Sequence, residues 1–548
     1  MKKCAGLVAG LLCLVVSTAR VQAQATGANV PEQNVTAILY VDRYNPRAAD
    51  NNPGTAPLPL KTVGKGVELA GINSGKNIGT KILIAPGYYR ESLAIWQQSD
   101  APIVFEARRI GETVIDGSDI WTGWQRQGSS NIYTHSWPYN WGLANVPPDW
   151  QSDTLSQNAF KPIVRRREMV FVGGTQLKQV LSSAELREKS FYVDEGSHTV
   201  YVWPPAGTDM STAQVEVAVR PSLFLAMGNK NIVLRGIVFR YANSPLNSGA
   251  VHFEGASNIL IEDCRFGMNN WGGLSFGSSR NVTVRRSVAN ANGGIGMAAA
   301  FGKNFLFEDT ETSYNNWRGI LGGYTGWSIA GLKHLFIHDA IYRRHKATYN
   351  NTLGFWLDSD SQNVLIDGAF LHGNLTFGIF IEANQGPVTV KGSTVCHNRS
   401  AGFLINNSKD VTLENNIIYG NERAQILMEG TPIEGRPMKN WETGEQMRLL
   451  SEHWTLRDND IVGKTASQLL LEVNLDGVST QPWTRFKSSL TAGKNLWYNP
   501  AISSAFRVFG WSADVKNVDF SGWKSISGKD SDSVFTAPQF VNPNNHQF

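Results

Sequence analysis

The feature that most constrains this chain is a repeat between residue 229 and about residue 475. A short apolar segment recurs after Asn or a similar turn residue, and the clean intervals are 23 or 24 residues. Its copies read NIVLRG at 231, NILIED at 258, NVTVRR at 281, NFLFED at 304, HLFIHD at 334, NVLIDG at 363, PVTVKG at 387 and DVTLEN at 410. So short a unit cannot bury its apolar face alone, and the copies must therefore stack into a continuous core.

A second short strand follows each first strand after a turn that contains Asn. Its copies read GLSF at 273, GIGM at 294, GFWL at 354, GIFI at 378, GFLI at 402 and QILM at 425. Short β-branched strands punctuated by Gly and Asn, with no helical period, predict an all-β fold, a parallel β-helix whose rungs hydrogen-bond to one another. Leucine-rich repeats share the period, but the sequence lacks their LxxLxL framework.

The turn asparagines align from rung to rung and predict a stacked ladder of side-chain amides. The aligned positions are Asn270, Asn292, Asn316, Asn351, Asn374, Asn398 and Asn421. Amides in such a ladder bond to the rungs above and below, so these residues are interpreted as structural and not as a binding site.

Two neighbouring copies of the second strand end in a carboxylate, GFWLD at Asp358 and GIFIE at Glu382. Counting four residues past the Gly or Gln that opens each copy predicts one column of Gly277, Ala298, Gly323, Asp358, Glu382, Asn406, Glu429 and Glu472. Strand alternation sends Phe355 and Leu357 to the core and Asp358 outward. Because neighbouring strands lie about 4.8 Å apart, the two carboxylates should lie roughly 5 Å from each other, beside a cleft left by small residues on earlier rungs.

Carboxylates this close cannot both ionise easily, so one pKa rises and an acid lies beside a base or nucleophile. A separation of about 5–5.5 Å is that of the pair in retaining glycosidases. Asp358 and Glu382 are therefore the predicted catalytic residues. Glu429 is the second candidate, because it lies two rungs beyond Glu382, about 9.6 Å away and at the upper limit for an inverting pair.

Four further residues are expected to shape sugar subsites near this pair. Asp360 and Trp356 neighbour Asp358, Trp317 occupies a turn, and Trp327 lies in an insert. The insert at 430–453 is expected to wall the far side of the cleft. The basic insert at 342–351 either lines the cleft or is solvated.

The sequence shows no Cys or His cluster with the spacing of metal ligands, so neither a metal nor a cofactor is expected. Asp358, Asp360 and Glu382 nevertheless offer the oxygen ligands that Ca²⁺ prefers. One alternative is therefore a calcium-dependent polysaccharide lyase with Lys346 or an Arg as base. The other is a non-catalytic carbohydrate-binding β-helix protein.

The first 25 residues have the pattern of a secretory signal peptide, with Lys2 and Lys3, an apolar run and small residues at its end. No later segment is long and apolar enough to cross a bilayer, so a secreted or periplasmic protein is expected. Export would remove three of the 50 basic residues and none of the 46 acidic ones, and this near balance disfavours a nucleic-acid partner. Cys264 and Cys396 belong to distant rungs and should be free, packed thiols.

The chain divides into five predicted segments. They are the signal peptide at 1–25, an N-terminal cap with the first coils at 26–116, an inserted antiparallel β-sandwich-like module at 117–220, the main β-helix with the cleft at 221–475, and a last coil with a C-terminal cap at 476–548. The module is indicated by short strands and hairpin turns that interrupt the repeat.

The phrases NPGT, PLKTVGKGVELA and ILIAPGYYRE resemble the entry segment of pectin-lyase-like right-handed β-helix proteins. A β-helix interrupted by such a module resembles β-helix glycoside hydrolases of the β-xylosidase type. In those enzymes a WLD phrase carries the nucleophile, and an acid–base Glu followed by xNxGP comes one rung later. Here WLD is 356–358 and EANQGP is 382–387, so the resemblance implies Asp358 as nucleophile and Glu382 as acid/base. LDSDSQ lacks the aromatic residue expected after the Asp, which leaves the sugar open between xylosides and others such as fucosides.

The prediction is a secreted retaining glycoside hydrolase on a right-handed parallel β-helix. Its partner would be a poly- or oligosaccharide substrate, with no nucleic acid and no membrane span. The sequence does not define the linkage, exo or endo action, or the oligomeric state.

Overall fold

The computed structural model of the protein describes residues 25–147, 160–326, 328–430, 434–475, 481–509 and 516–548. Residues 1–24 of the predicted signal peptide at 1–25 lie outside these ranges. Within them, strands one rung apart in sequence pair in parallel, so the predicted parallel β-helix is confirmed. Across the same described ranges, no helix has the length and apolar character needed to span a membrane.

Most coils contain three strands where the sequence indicated two. One complete coil consists of Gln362–Asp367, Phe370–His372 and Ile379–Glu382. We name the three stacks the first-strand face, the short-strand face and the acidic face. The strands of the short-strand face were missed because most contain only three residues, too few to show an alternation.

The strands of the first-strand face are Val35–Val41, Gly79–Ile84, Ile103–Ala107, Lys230–Arg235, Ser257–Glu262, Arg280–Arg285, Gln362–Asp367, Val388–Lys391, Val411–Glu414, Thr455–Arg457 and Thr491–Gly493. Those of the short-strand face are Gly87–Tyr89, Thr113–Asp116, Ile237–Arg240, Arg265–Gly267, Lys346–Thr348, Phe370–His372, Thr394–Cys396, Ile417–Tyr419, Asp460–Val462, Leu496–Tyr498 and Val534–Phe535.

The acidic face contains Leu93–Ala94, Phe224–Met227, Gly249–Glu254, Gly272–Gly277, Leu353–Asp358, Ile379–Glu382, Ala401–Asn406, Ala424–Gly430, Leu469–Leu475 and Phe506–Phe509. Two long strands, Met297–Glu308 and Ala330–Arg343, begin on this face and continue onto the first-strand face. Lys516–Val518 pairs antiparallel with Phe506–Phe509.

The interior of the coil is one apolar core built from the inward residues of all three faces. Phe355, Leu357, Ile379 and Ile381 are fully buried there, as alternation predicted. Equivalent side chains stack from rung to rung, which makes the rung spacing regular along the coil.

The amide ladder is present, and its register differs from the predicted one at three rungs. It runs through Asn269, Asn292, Asn315, Asn350, Asn374, Asn398 and Asn421 and ends on Gln425. The predicted Asn270, Asn316 and Asn351 are each the second residue of an Asn-Asn pair, and sequence alone does not tell which member turns inward. The side chain of Asn270 instead donates to the Ser244 carbonyl at 2.8 Å.

Replacing Asn374 with Ala should lower the free energy of unfolding by about 3 kcal/mol, because it leaves several buried partners unsatisfied. Asn374 is fully buried; it donates to Asn398 Oδ1 and to the Ala347 carbonyl, each at 2.9 Å, and accepts from Asn350 Nδ2 at 2.9 Å. Urea denaturation measures the change, with Asn51→Ala at an exposed turn as the control. Equal midpoints for the two variants would contradict a stabilising ladder.

Helices cover both ends of the coil. Val63–Gly75 packs Val63, Val67 and Ala70 into the core at one end, and its N-cap Thr62 accepts from Lys65 N. At the other end, Gln481–Ser489 and Phe520–Ser527 contribute Trp483 and Trp523 to the same core. Within the described ranges the other helices are Pro162–Arg165 and Gly319–Gly322, with 3-10 turns at Glu32–Asn34, Ser183–Glu185 and Pro543–Asn545.

Between the early coils and the main coil, two small sheets form a separate module with its own apolar cluster around Trp137, Val170 and Phe191. One sheet contains Ser118–Trp121, Val170–Val172, Thr175–Gln176 and Val215–Ala218, and the other Gln125–Arg126, Tyr133–Ser136, Lys178–Gln179, Ser190–Asp194 and Thr199–Trp203. All pairs in the module are antiparallel except Lys178–Gln179 with Ser190–Asp194.

Candidate active site

Asp358 and Glu382 occupy directly opposed positions on neighbouring parallel strands of the acidic face. Each is the last residue of its strand, and each side chain points out of the apolar core. Parallel neighbours lie about 4.8 Å apart, so the backbone sets the two carboxyl groups one rung from each other. Their side chains retain only 12% and 16% of their exposure, so the pair sits in a largely dry setting.

Asp358 has a cationic partner of its own. Lys333 Nζ lies 2.9 Å from Asp358 Oδ2, and Ser359 Oγ donates to Asp358 Oδ1 at 2.9 Å. Lys333 is itself buried, with Nζ 3.3 Å from the centre of the Trp356 ring. A buried ammonium this close compensates the negative charge of the Asp358 carboxylate.

Glu382 lies in different surroundings. The indole of Trp356 donates to Glu382 Oε2 at 3.1 Å, and the Arg436 guanidinium contacts Oε1. Burial, and then the charge of Asp358, raise the pKa of Glu382 above its usual range, while Arg436 and Lys333 oppose the rise. The site therefore contains one carboxylate paired with a buried lysine and one carboxyl group that takes up a proton more readily.

Trp356 orients Glu382 and does not present a free ring to a ligand. It is buried and stacks on Phe380 with ring centres 5.1 Å apart. Its other face carries the Lys333 ammonium. Trp356 therefore lies between Lys333 and Glu382 and does not form the sugar subsite that the sequence predicted.

Replacing Lys333 with Met should lower the free energy of unfolding by about 3 kcal/mol, because it leaves the Asp358 carboxylate buried without a counter-ion. The methionine keeps the apolar contact with the Trp356 ring. The double variant Lys333→Met/Asp358→Asn should regain a large part of the loss, since the unpaired charge is then removed. Urea denaturation of the four proteins in this cycle measures the coupling, and additive changes would exclude an energetically important pair.

The column of the acidic face differs from the predicted one at three positions, Ala298, Gly323 and Glu472. The register runs Glu254, Gly277, Ala300, Leu335, Asp358, Glu382, Asn406, Glu429 and Asn474. Ala298 and Glu472 lie two positions earlier on their strands, and Gly323 follows the short helix Gly319–Gly322. At Leu335 the error comes from the insert before its strand, which displaces the Gly from which the prediction counted.

A cleft of about 750 Å³ runs along the acidic face on the rungs before the pair. Its floor follows the small residues of the column, Gly277 and Ala300, and Glu254 and Trp271 line it farther along. Lys333 and Leu335 belong to the same wall, one rung before Trp356 and Asp358. The cleft therefore ends one rung before the carboxylate pair, and its volume suits a small-molecule or oligomeric ligand.

The 430–453 insert reaches the pair through a hairpin of Arg436–Lys439 and Gln446–Leu449. Glu442, at its tip, binds Lys303 Nζ at 2.9 Å, His338 Nδ1 at 2.8 Å and Arg280 Nη1 at 3.2 Å. Burial would raise the pKa of Glu442, but these three partners outweigh it and hold the pKa at about 2. The anchored hairpin places Arg436 on Glu382.

Asp360 holds this hairpin in place, and its buried side chain does not face the cleft. It is fully buried and accepts from Trp441 N at 2.7 Å and from the Gln385 side chain, and His338 Nε2 lies 3.5 Å from Oδ2. Burial would lower the pKa of His338, but the carboxylates of Asp360 and Glu442 outweigh it and raise that pKa. Asp360 thus ties the turn after the Asp358 strand to the insert.

Trp317 does not lie at the pair. Trp317 packs among Met169, Phe171 and Tyr241 at the module, and its indole donates to the Ala291 carbonyl at 3.0 Å. Trp327 lies outside the described residues. Glu429 is in the column two rungs beyond Glu382, with Asn406 between them.

Sequence reasoning missed Lys333 and Arg436, the two cations of the site. Lys333 follows an insert, so its strand was assigned to the wrong face, although the polar residue in GLKHL between apolar neighbours was an available clue. Arg436 comes from a non-repetitive loop whose path no periodicity predicts. In the basic insert, Arg343 and Arg344 pair with Glu308 and Asp309 instead of lining the cleft.

The carboxylate pair does not favour a calcium site. Lys333 and Arg436 each contact one of the two carboxylates that would have to bind the ion. A divalent cation between them would meet two positive groups at short range, which opposes its binding.

Comparison with known proteins identifies the fold. The family described as the right-handed beta helix region matches residues 222–331 and 338–436. The structure of XylC with xylose matches with a TM-score of 0.69 and 16% identity over 92% of this chain and 87% of that chain. The A-module of the mannuronan C-5 epimerase AlgE4 of Azotobacter vinelandii matches with a TM-score of 0.50 and 13% identity over 91% of this chain and 100% of that chain.

A search of curated protein sequences finds no significant match. Identities of 13% and 16% establish an architecture and not an activity. The family match, the three stacked faces and the parallel register agree on that architecture. The chain is a right-handed parallel β-helix protein, as its sequence predicted.

Proposed function

We propose that the protein is a retaining glycoside hydrolase acting on polysaccharide-derived glycans, with Asp358 as nucleophile and Glu382 as acid/base. The observation that carries the proposal is the facing pair in unlike surroundings, with Lys333 on Asp358 and a raised pKa at Glu382. Retaining glycosidases need two carboxyl groups about 5–5.5 Å apart with these two roles. A single rung of a parallel β-helix supplies that separation.

In the first step, Asp358 Oδ attacks the anomeric carbon while Glu382 gives its proton to the glycosidic oxygen. The C–O bond to the leaving group breaks, and a covalent glycosyl–Asp358 ester forms. Burial and the charge of Asp358 raise the pKa of Glu382, which favours its protonated form at the start, and the Lys333 ammonium lies 2.9 Å from the attacking Asp358 carboxylate.

In the second step, the ionised Glu382 removes a proton from water, and the water oxygen attacks the anomeric carbon. The ester bond breaks, Asp358 is released as the carboxylate, and the sugar leaves with its original configuration. Arg436 stabilises Glu382 in the ionised form that this step requires.

The cleft supports a saccharide ligand because it ends one rung before the pair and is lined by Trp271 and by polar residues of the outward columns. The structure of XylC with xylose resembles this chain in fold, with a TM-score of 0.69. Pentose-containing oligosaccharides are therefore the first substrates to examine, followed by fucosylated glycans.

The test is proton NMR of the products formed from xylo-oligosaccharides, fucosylated glycans and polyuronates. We expect the released sugar to appear first with the anomeric configuration of the substrate. First appearance of the opposite anomer would exclude the retaining mechanism. Unsaturated uronates would indicate a lyase, and sugar binding without any product would favour the non-catalytic alternative.

A further inference from the structure

A cluster of soft ligands lies on the short-strand face, away from the carboxylate pair. His372 and Cys396 are register partners on the neighbouring strands Phe370–His372 and Thr394–Cys396. His546 comes from the closing segment, residues 539–548, which folds back over this face. Cys396 Sγ lies 3.5 Å from His372 Nδ1 and 3.8 Å from His546 Nδ1, and one ligand atom from each residue lies within 4.8 Å of the others.

These separations are those of ligands around one tetrahedral ion. A zinc–sulfur bond of about 2.3 Å and a zinc–nitrogen bond of about 2.0–2.1 Å place the S and N ligands ~3.5 Å apart. Both sulfur–nitrogen distances therefore need little adjustment. Two nitrogens and one sulfur are a set that Zn²⁺ accepts and that Ca²⁺ and Mg²⁺ do not prefer.

The surroundings also suit a metal site. Tyr349 Oη lies 2.9 Å from His372 Nε2 and so holds the imidazole with Nδ1 toward Cys396. His397 faces the same cluster, with its ring centre 5.9 Å from that of His546.

Aromatic residues pack beside the cluster. Phe540 and Phe548 of the closing segment pack against Tyr419, next to Cys396 on the same face. Cys396 is fully buried and His372 is 7% exposed, whereas His546 is exposed. One ligand from the segment and two from the coil thus converge at the edge of an apolar wall.

We propose that His372, Cys396 and His546 bind a thiophilic divalent cation of the Zn²⁺ class, with the fourth position taken by water, and that the ion fastens the closing segment to the coil. The Cys396 thiol loses its proton to solvent when the sulfur–metal bond forms, and both imidazoles bind through Nδ1. The site is structural, and it is independent of the carboxylate chemistry on the acidic face.

This site is not visible in the sequence because its ligands come from separate segments, with His372 and Cys396 one rung apart and His546 far along the chain. Spacing rules detect ligands that share one loop or one helix. The three residues meet because the closing segment packs against the coil.

The test is a titration of the full chain, freed of metal with a chelator, with Co²⁺ as the spectroscopic probe and Zn²⁺ as competitor. We expect one Co²⁺ per chain, a sulfur-to-cobalt charge-transfer band, and displacement by Zn²⁺. The band should vanish in Cys396→Ala, and His546→Gln should weaken binding by about tenfold or more. Cys264→Ala and His198→Gln serve as matched controls and should bind as the wild type does.

A second readout is hydrogen exchange over residues 539–548, which Zn²⁺ should slow in the wild type and not in His546→Gln. Because His546 is exposed, this variant tests the site without disturbing the core. The proposal is wrong if the chain takes up no stoichiometric metal, or if Cys396→Ala and His546→Gln bind Co²⁺ like the controls.

Discussion

Replacing Asp358 with Asn should lower kcat by roughly 10⁴-fold or more, the scale on which enzymes lose activity with their nucleophile. The amide cannot attack the anomeric carbon, so no glycosyl ester forms. The fold should persist, because the amide oxygen still accepts a hydrogen bond from Lys333, 2.9 Å from the present carboxylate. Initial rates on the substrate found by product analysis, together with circular dichroism, provide the measurement.

The matched control for this variant is Asp367→Asn, which makes the same change of charge on the first-strand face of the next turn. It should retain wild-type activity. If Asp358→Asn kept more than a tenth of the wild-type rate, Asp358 would not be the nucleophile. Added azide offers a second check, since it can bind in place of the missing carboxylate and restore cleavage in Asp358→Gly.

Replacing Glu382 with Gln should lower kcat by about 10²- to 10⁴-fold on substrates with poor leaving groups. The acid is needed in its protonated form, so wild-type activity should fall as pH rises through the raised pKa of Glu382. The glutamine cannot titrate, and this alkaline decline should be absent from the variant. Substrates whose leaving groups need no protonation should react nearly normally in the first step.

Measuring kcat/KM against pH for an activated aryl glycoside and a natural oligosaccharide separates these effects. Glu414→Gln is the control, because Glu414 also pairs with an arginine, Arg457 Nη2 at 2.6 Å, but on the first-strand face. An unchanged alkaline decline in Glu382→Gln would assign the acid role to another group. Glu429, two rungs beyond Glu382, would then be the residue to replace.

The sequence predicted the fold, the inward residues and the facing pair because each depends on a local period. A repeat of 23 or 24 residues places equivalent residues one rung apart, and alternation within GFWLD and GIFIE fixes which side chains turn outward. Asp358 and Glu382 were therefore found without any knowledge of the loops. Where two asparagines adjoined, the same counting was wrong by one residue, and on two strands of the acidic face it was wrong by two. Where an insert preceded the strand Ala330–Arg343, the predicted Gly323 lay twelve residues before the observed Leu335.

What only the tertiary structure decided is the chemical environment of the pair. Lys333 reaches Asp358 from a strand displaced by an insert, and Arg436 reaches Glu382 from a hairpin that Glu442 anchors on other coils. Contacts between distant parts of the chain likewise bring together the cluster of His372, Cys396 and His546. The stacking of rungs is encoded by a short-range pattern, whereas charges, cations and ligands meet across long-range contacts whose sequence separation follows no period.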